Sequence, residues 1–250
     1  KFEPNPSDKL ILDSSGNGHH LGLTTDLSST PLPPGVDGDA LDLPGDDATY
    51  LELSAYDTSL KTIALWLKPD FAIGAGLSPT SLFRLSSNPD KGLVFNESSP
   101  NNVQGETVSI GHFNGYGQTT TNSLIQIGWL HLALSWNADN GHYQYYLNGV
   151  QAPSFAGNHG HFNLISGTNL LFGKGVTLNE LGSYANAYGG AIDELRLYDV
   201  SLTAAEIQAL HNQVENPIIR TTGEHNATIG TGFSLSLQVD NGANFFQAEG

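Results

Sequence analysis

The stretch Gly189-Gly190-Ala191-Ile192-Asp193-Glu194-Leu195-Arg196-Leu197-Tyr198-Asp199-Val200-Ser201-Leu202-Thr203-Ala204-Ala205-Glu206-Ile207 decides the reading of this chain. Its first half alternates as a strand does. Strict alternation puts Ile192, Glu194, Arg196 and Tyr198 on one face and Asp193, Leu195, Leu197 and Asp199 on the other. An acid sharing a face with Leu195 and Leu197 is expensive to bury unpaired. The pattern therefore predicts a cation or several hydrogen-bond donors at Asp193. The second half predicts a short helix over 203–211, with Thr203 as N-cap and Glu206 completing a capping box three residues on.

Working back from this stretch, almost every apolar run is short, alternating and bounded by Gly, Asn, Asp, Ser or Pro. Thr49–Leu53, Lys61–Pro69, Ser81–Leu85, Gly92–Phe95 and Thr107–Gly111 all read as strands. Trp129–Trp136 and Tyr143–Leu147 follow, joined by a segment whose Asp139-Asn140-Gly141 is a hairpin signal. Asn148-Gly149 turns the chain again, and Asn169–Gly173 precedes the closing strand. Short strands at regular spacing predict an all-β fold, an antiparallel two-sheet sandwich or jelly roll with one short C-terminal helix.

The composition changes after Val214. Asn216-Pro217 ends the helix, Ile218–Thr222 reads as a strand, and Phe233, Leu235, Leu237 and Val239 alternate strictly in a second. Two strands do not enclose a core of their own. The expected division is a jelly-roll domain over 1–214, then a linker and the opening strands of a following β-sandwich module, immunoglobulin-like, over 215–250. The alternative is an appended ribbon packed on the first domain.

The charge narrows the partners. With 25 acids against 9 bases the net charge is −16, which repels phosphates and argues against nucleic acid or an anionic membrane surface. No apolar run reaches the ~20 residues of a membrane-spanning helix, so no membrane insertion is expected. There is no Cys, which excludes disulfides and thiolate metal sites. The chain starts at Lys1 and has no Met, the expectation being a processed piece of a longer protein with flanking domains of the same polypeptide.

Five segments, in order, resemble one family. Asp13-Ser14-Ser15-Gly16-Asn17-Gly18-His19-His20 is similar to the opening of the laminin-G-like, concanavalin A-like jelly-roll family of secreted bacterial proteins. Asp37–Leu43 with Asp46–Leu51, Thr62–Pro69, Gly128–Trp136 with Tyr146–Val150, and the 189–207 stretch complete the set. The resemblance covers about residues 8–212. It implies a two-sheet jelly roll that is secreted or at the cell surface, whose relatives bind carbohydrates or other extracellular ligands, often with one structural Ca2+. It also implies that Asp13 and Asp193 lie near each other, making them, with Asn17, the candidate calcium ligands. Calcium requires six to eight oxygens. The competing reading has Asp13 in an Asx-turn and Asp193 accepting backbone N–H bonds. Asp37, Asp39, Asp42, Asp46 and Asp47 form a second acidic cluster without EF-hand spacing, read as a solvated turn.

Rim loops of a rigid scaffold concentrate binding residues. His112, Asn114 and Tyr116, His159 and His161, and Tyr184, Asn186 and Tyr188 lie in polar, Gly-flanked, aromatic loops and are the candidate glycan contacts. Trp66 reads as core, and Trp129 and His131 as structural. His19-His20 and His159-Gly160-His161 read as loop histidines, since no Cys or H-E-x-x-H motif supports a transition metal. No pair of acids has glycosidase spacing on one strand, and Glu52, Glu97, Glu106 and Glu180 are isolated. No catalytic residue is assigned. The sequence thus predicts a non-catalytic extracellular carbohydrate-binding module of a multidomain protein, its partner a glycan or polysaccharide. The rivals are a protein-binding adhesive spacer of a surface adhesin and a polysaccharide lyase or glycoside hydrolase with an unfamiliar site.

Overall fold

The computed structural model describes residues 4–5, 9–13, 15, 18–26, 32–56, 60–70, 80–86, 92–97, 108–112, 119–121, 128–136, 143–151, 168–176, 186–215, 219–220, 234–239 and 244–249. The first strands in chain order are β1 (Pro4–Asn5), β2 (Leu10–Ile11), β3 (Leu21–Leu23), β4 (Leu41–Pro44), β5 (Leu51–Tyr56) and β6 (Thr62–Pro69). Next come β7 (Thr80–Leu85), β8 (Gly92–Glu97), β9 (Val108–His112), β10 (Thr119–Thr121), β11 (Leu130–Trp136), β12 (Tyr143–Leu147) and β13 (Val150–Gln151). β14 (Thr168–Phe172), β15 (Asn186–Ala187) and β16 (Gly189–Tyr198) lead into the helix α1 (Ala204–Glu215). β17 (Ile219–Arg220), β18 (Ser234–Val239) and β19 (Asn244–Glu249) follow.

Two sheets carry the sandwich. One runs β1-β2-β3-β5-β14-β7-β8-β9-β10 with β15 beside β7, and the other runs β13-β12-β11-β6-β16-β4. Pairing is antiparallel except between β15 and β7. The core lies between the sheets because alternate side chains turn inward from both. Ile63, Leu65 and Leu67 of β6, Leu132, Leu134 and Trp136 of β11, and Ile192 of β16 meet Leu51 and Leu53 of β5, Phe83 of β7, and Leu170 and Phe172 of β14. Burying each such side chain stabilises the fold by about 1.5–3 kcal/mol. This is the expected antiparallel jelly-roll sandwich.

The outer face of the six-stranded sheet is also covered. Ile207 of α1, with Leu202 and Leu210, packs on Ala64, Ala133 and Tyr146. That is why Thr62 through Leu67 are all buried on a strand that alternates. Trp66 is buried as expected, but beneath the helix rather than between the sheets. The capping box forms: the Thr203 N–H donates to Glu206 Oε2 at 2.7 Å, and the Glu206 N–H to Thr203 Oγ1 at 3.3 Å. Upstream of it, Thr62 Oγ1 donates to the Val200 carbonyl at 2.8 Å and accepts the Leu202 N–H at 3.0 Å. Ser135 Oγ donates to the Leu202 carbonyl at 3.0 Å. The helix runs to Glu215, a turn beyond the expected end, since no breaker precedes Asn216-Pro217.

The strict alternation expected for 192–199 does not hold. Glu194 has φ 47, and the pairing of β16 with β6 shifts between Asp193 and Arg196. Asp193 opposes Trp66 and Arg196 opposes Ala64, so both occupy the outer face. Leu195 and Leu197 pack with Ile192 against the core. The cause is a β-bulge, one extra residue that resets which side chains turn inward. Asp193 therefore does not share a face with Leu195 and Leu197.

β17, β18 and β19 form a separate three-stranded sheet that pairs with neither sandwich sheet. The sequence reading counted two strands here and missed Asn244–Glu249, although Asp240-Asn241-Gly242 before it is a hairpin signal. No helix of the described residues is long and apolar enough to cross a membrane.

Candidate functional site

The Asp193 carboxylate has no solvent exposure. Its Oδ2 accepts the N–H groups of Val36 at 2.7 Å and Asp37 at 3.1 Å, and its Oδ1 accepts that of Glu194 at 2.8 Å. The 33–40 loop is folded for this, with the Gly35 N–H donating to the Gly38 carbonyl and the Ala40 N–H to that of Pro33. Only glycine fits at 35, because a Cβ there would lie 2.3 Å from Asp193 Oδ2. Burial pushes the Asp193 carboxyl above the usual range, and the three N–H donors pull against it.

Asp13 is served in the same way. Its Oδ1 accepts the Ser15 N–H at 2.8 Å and its Oδ2 the His19 N–H at 3.0 Å, while its own N–H donates to His20 Nδ1 at 2.9 Å. Hydrogen bonding from Ser15, then from His19, brings its carboxyl down to about 2. Asn17 lies outside the described residues. A calcium ion needs six to eight oxygen ligands, and a carboxylate oxygen that accepts one N–H bond keeps a further lone pair. Among the described residues no group of three or more His, Asp or Glu gathers as a metal site. In the second acidic cluster, Asp46 Oδ1 accepts the N–H groups of Ala48 and Thr49, which is turn chemistry.

Of the candidate glycan contacts, His112 ends β9 and Asn186 pairs in register with Thr80 on β7. Tyr188 is fully buried, its hydroxyl donating to the Ala191 carbonyl at 3.0 Å and its phenol raised well above the usual range by burial. It is a core residue, not a ligand contact; its glycine-flanked segment leads directly into β16. Asn114, Tyr116, His159, His161 and Tyr184 lie outside the described residues.

A polar run that the linear reading missed crosses the outer face of the ten-stranded sheet. Leu170 and Phe172 turn inward, so Leu171 turns outward, directly opposite Glu52 on one side and Arg84 on the other. Asn169, two residues from Leu171, donates through Nδ2 to Glu52 Oε1, and its N–H donates to Ser86 Oγ at 3.1 Å. Glu52 and Asn169 are half-buried, Ser54 and Ser86 exposed, and Arg84 buried. Glu52 also pairs with Gly22 of β3, which leaves that flank without a side chain. Glu52 is the one carboxylate in the sequences of β3, β5, β7 and β14. Only the pairing register joins these residues, because 117 positions separate Glu52 from Asn169.

The outer face of the other sheet carries a cluster of rings. Trp66 lies 5.2 Å from the His131 ring and 5.3 Å from that of His211, which stacks on it at 19°. Asn148 holds this part of β11, accepting the His131 N–H through Oδ1 and donating its own N–H to the His131 carbonyl. The reading of His131 as structural agrees with its burial.

The model of the concanavalin A-like lectin/glucanases superfamily, Laminin_G_3, matches residues 43–208. No curated protein sequence matches the chain. Among solved structures, domain 4 of AbnA, a GH43 extracellular arabinanase from Geobacillus stearothermophilus in complex with arabinotriose, is similar with TM-score 0.54 and 20% identity, over 82% of this chain and 93% of that one. A native heptameric SAP-like pentraxin from Limulus polyphemus is similar with TM-score 0.52 and 16% identity, over 68% and 80%. The binding domain of Botulinum Neurotoxin DC in complex with SialylT gives TM-score 0.55 and 14% identity, over 84% of this chain and 49% of that one. At these identities the likeness is one of fold, and it agrees with the two-sheet sandwich. The family match spans well over half the chain, so the chain belongs to the Laminin_G_3 family of concanavalin A-like lectins and glucanases.

Proposed function

We propose that this chain is a non-catalytic, carbohydrate-binding module of a larger secreted or surface-displayed protein. The polar run on the outer face of the ten-stranded sheet carries the reading. The Asn169 amide, the Ser54 and Ser86 hydroxyls and the Glu52 carboxylate can bond to sugar hydroxyls, whereas glycoside hydrolysis requires two carboxyl groups across the bond and Glu52 is the one carboxylate in the sequences of β3, β5, β7 and β14. The family match and an arabinanase domain solved with arabinotriose support the same reading. The sequence candidates His112, Asn114, Tyr116, His159, His161, Tyr184 and Asn186 would supply further aromatic and polar contacts.

A glycan array with calcium and with chelator tests the proposal. A glycan hit is expected, and Asn169→Ala should weaken it about tenfold, or roughly 1.4 kcal/mol. Silence on every glycan under both conditions would end the lectin reading. Residues 215–250 are proposed to open a following β-sandwich module, since their sheet pairs with neither sheet of the first. Limited proteolysis is then expected to cut first between Glu215 and Ile219 and to leave the sandwich whole; first cuts inside 43–208 would contradict that division.

A further inference from the structure

Helix α1 sits on a small apolar seat. Its Ile207 is fully buried, and Leu202 and Leu210 are only partly so, against Ala64, Ala133 and Tyr146. Around it lie the Trp66 ring and two imidazoles. His131 is 2% exposed, with its ring edge-on to His211 of α1 at 5.7 Å. Its Nδ1 is buried without a hydrogen-bond partner.

The groups facing His131 do not welcome a proton. From α1 comes the His211 imidazole. From β16 comes the Arg196 guanidinium, which is paired with Glu194 and donates to Gln213 Oε1 of α1 at 3.0 Å. From β6 comes the Trp66 ring, and on the same face of β12 lies Tyr146, whose phenol burial raises. Burial, then His211, then Arg196 hold the His131 imidazole down to about 3. His131 points outward from the sheet, so lifting the helix would return it to water and to the ordinary histidine range near 6.5.

We infer that α1 is an acid-released latch: protonation of His131 expels the helix from the outer face of the six-stranded sheet while the sandwich beneath stays closed. This goes beyond glycan binding and does not depend on it. The sign follows from the neutral form being the docked one. Docking is at full strength above the ordinary histidine range and weakens as pH falls from about 6.5 toward 3. Between pH 7 and pH 4 the open fraction should rise about 200-fold by that linkage. The helix yields first because its seat is small, whereas the inner face of the same sheet is packed with Ile63, Leu65, Leu67, Leu132 and Leu134. Release would also lengthen the tether to β17, which begins four residues after α1 ends.

Hydrogen exchange of the full 250-residue chain, corrected for the intrinsic pH dependence of exchange, tests the latch. Peptides covering 204–215 should open about 200-fold more often at pH 4 than at pH 7, while those from β6 and β11 stay protected. His131→Phe keeps a ring against Trp66 and forfeits no Nδ1 bond, and it should abolish the response. An equal response in His131→Phe, or helix and strands opening together in the native chain, would overturn the proposal. If His131→Phe does not fold, NMR titration of the native imidazole decides. His131 staying neutral wherever the helix is docked supports the latch, and ordinary titration near 6.5 with the helix still docked refutes it.

Discussion

Replacing Asp193 by Ala is expected to lower the unfolding free energy by about 3 kcal/mol, because three backbone N–H groups lose a charged acceptor. Val36, Asp37 and Glu194 all donate to this one buried side chain, so it ties the 33–40 loop to the closing strand. Ala leaves a gap that water fills only in part, since the carboxylate is wholly enclosed. Asp193→Asn should cost less, because one acceptor oxygen survives. Urea titration reads both losses, and the comparison should be repeated with a chelator. An unchanged difference is the expected outcome. If chelation alone removes the gap between native chain and variant, the carboxylate holds a cation and the clasp described here is wrong. A loss below about 1 kcal/mol would equally show that the N–H donors find other partners.

Gly190→Ala should be still more damaging, at about 4 kcal/mol or more, and visible first as lost soluble yield. Gly190 has φ 129, a conformation side chains rarely adopt. A Cβ there would lie 2.5 Å from the Lys68 carbonyl oxygen, 2.8 Å from Pro69 Cα and 2.9 Å from the Asp70 nitrogen. All three are backbone atoms of the neighbouring strand and its continuation, so nothing flexible can move aside. Gly190 pairs with Leu43 on one side and Pro69 on the other, which places the clash inside the sheet. Gly22→Ala is the control, since its Cβ would meet nothing nearer than the Glu52 carbonyl oxygen at 3.7 Å. A Gly190→Ala melting temperature within about 3 °C of the native chain would refute the steric account.

The two-sheet architecture was legible because alternation and turn residues are local signals. Asn148-Gly149, the Thr203–Glu206 box and the strands at 62–69 and 130–136 are each readable within ten residues. What failed was whatever depends on a single inserted residue or on distant pairing. The bulge at Glu194 puts Asp193 and Leu195, expected on one face, on opposite faces, and alternation alone cannot locate an unpaired residue. The expectation that Asp193 needed a cation or donors was nonetheless sound, and the donors came from residues 36, 37 and 194. Tyr188 shows the converse error, because a Gly-flanked aromatic was read as loop while its ring belongs to the core. The Glu52–Asn169 contact had no local signal at all, since it exists only in the register of β5 with β14.

The order of strands in the six-stranded sheet bears on how the molecule is made. β16 occupies the slot between β4 and β6, so residues 189–198 join segments synthesised about 120 to 150 positions earlier. A nascent chain that has not yet reached Gly189 presents two facing, unbonded strand edges and an uncovered row of leucines. It can complete neither until the last tenth of the sandwich emerges. Topologies of this kind fold slowly and late, and their incomplete forms are the ones that aggregate or pair with the wrong neighbour. The same strand that seats Asp193 and leads into the latch thus also sets the moment at which the domain becomes a folded object.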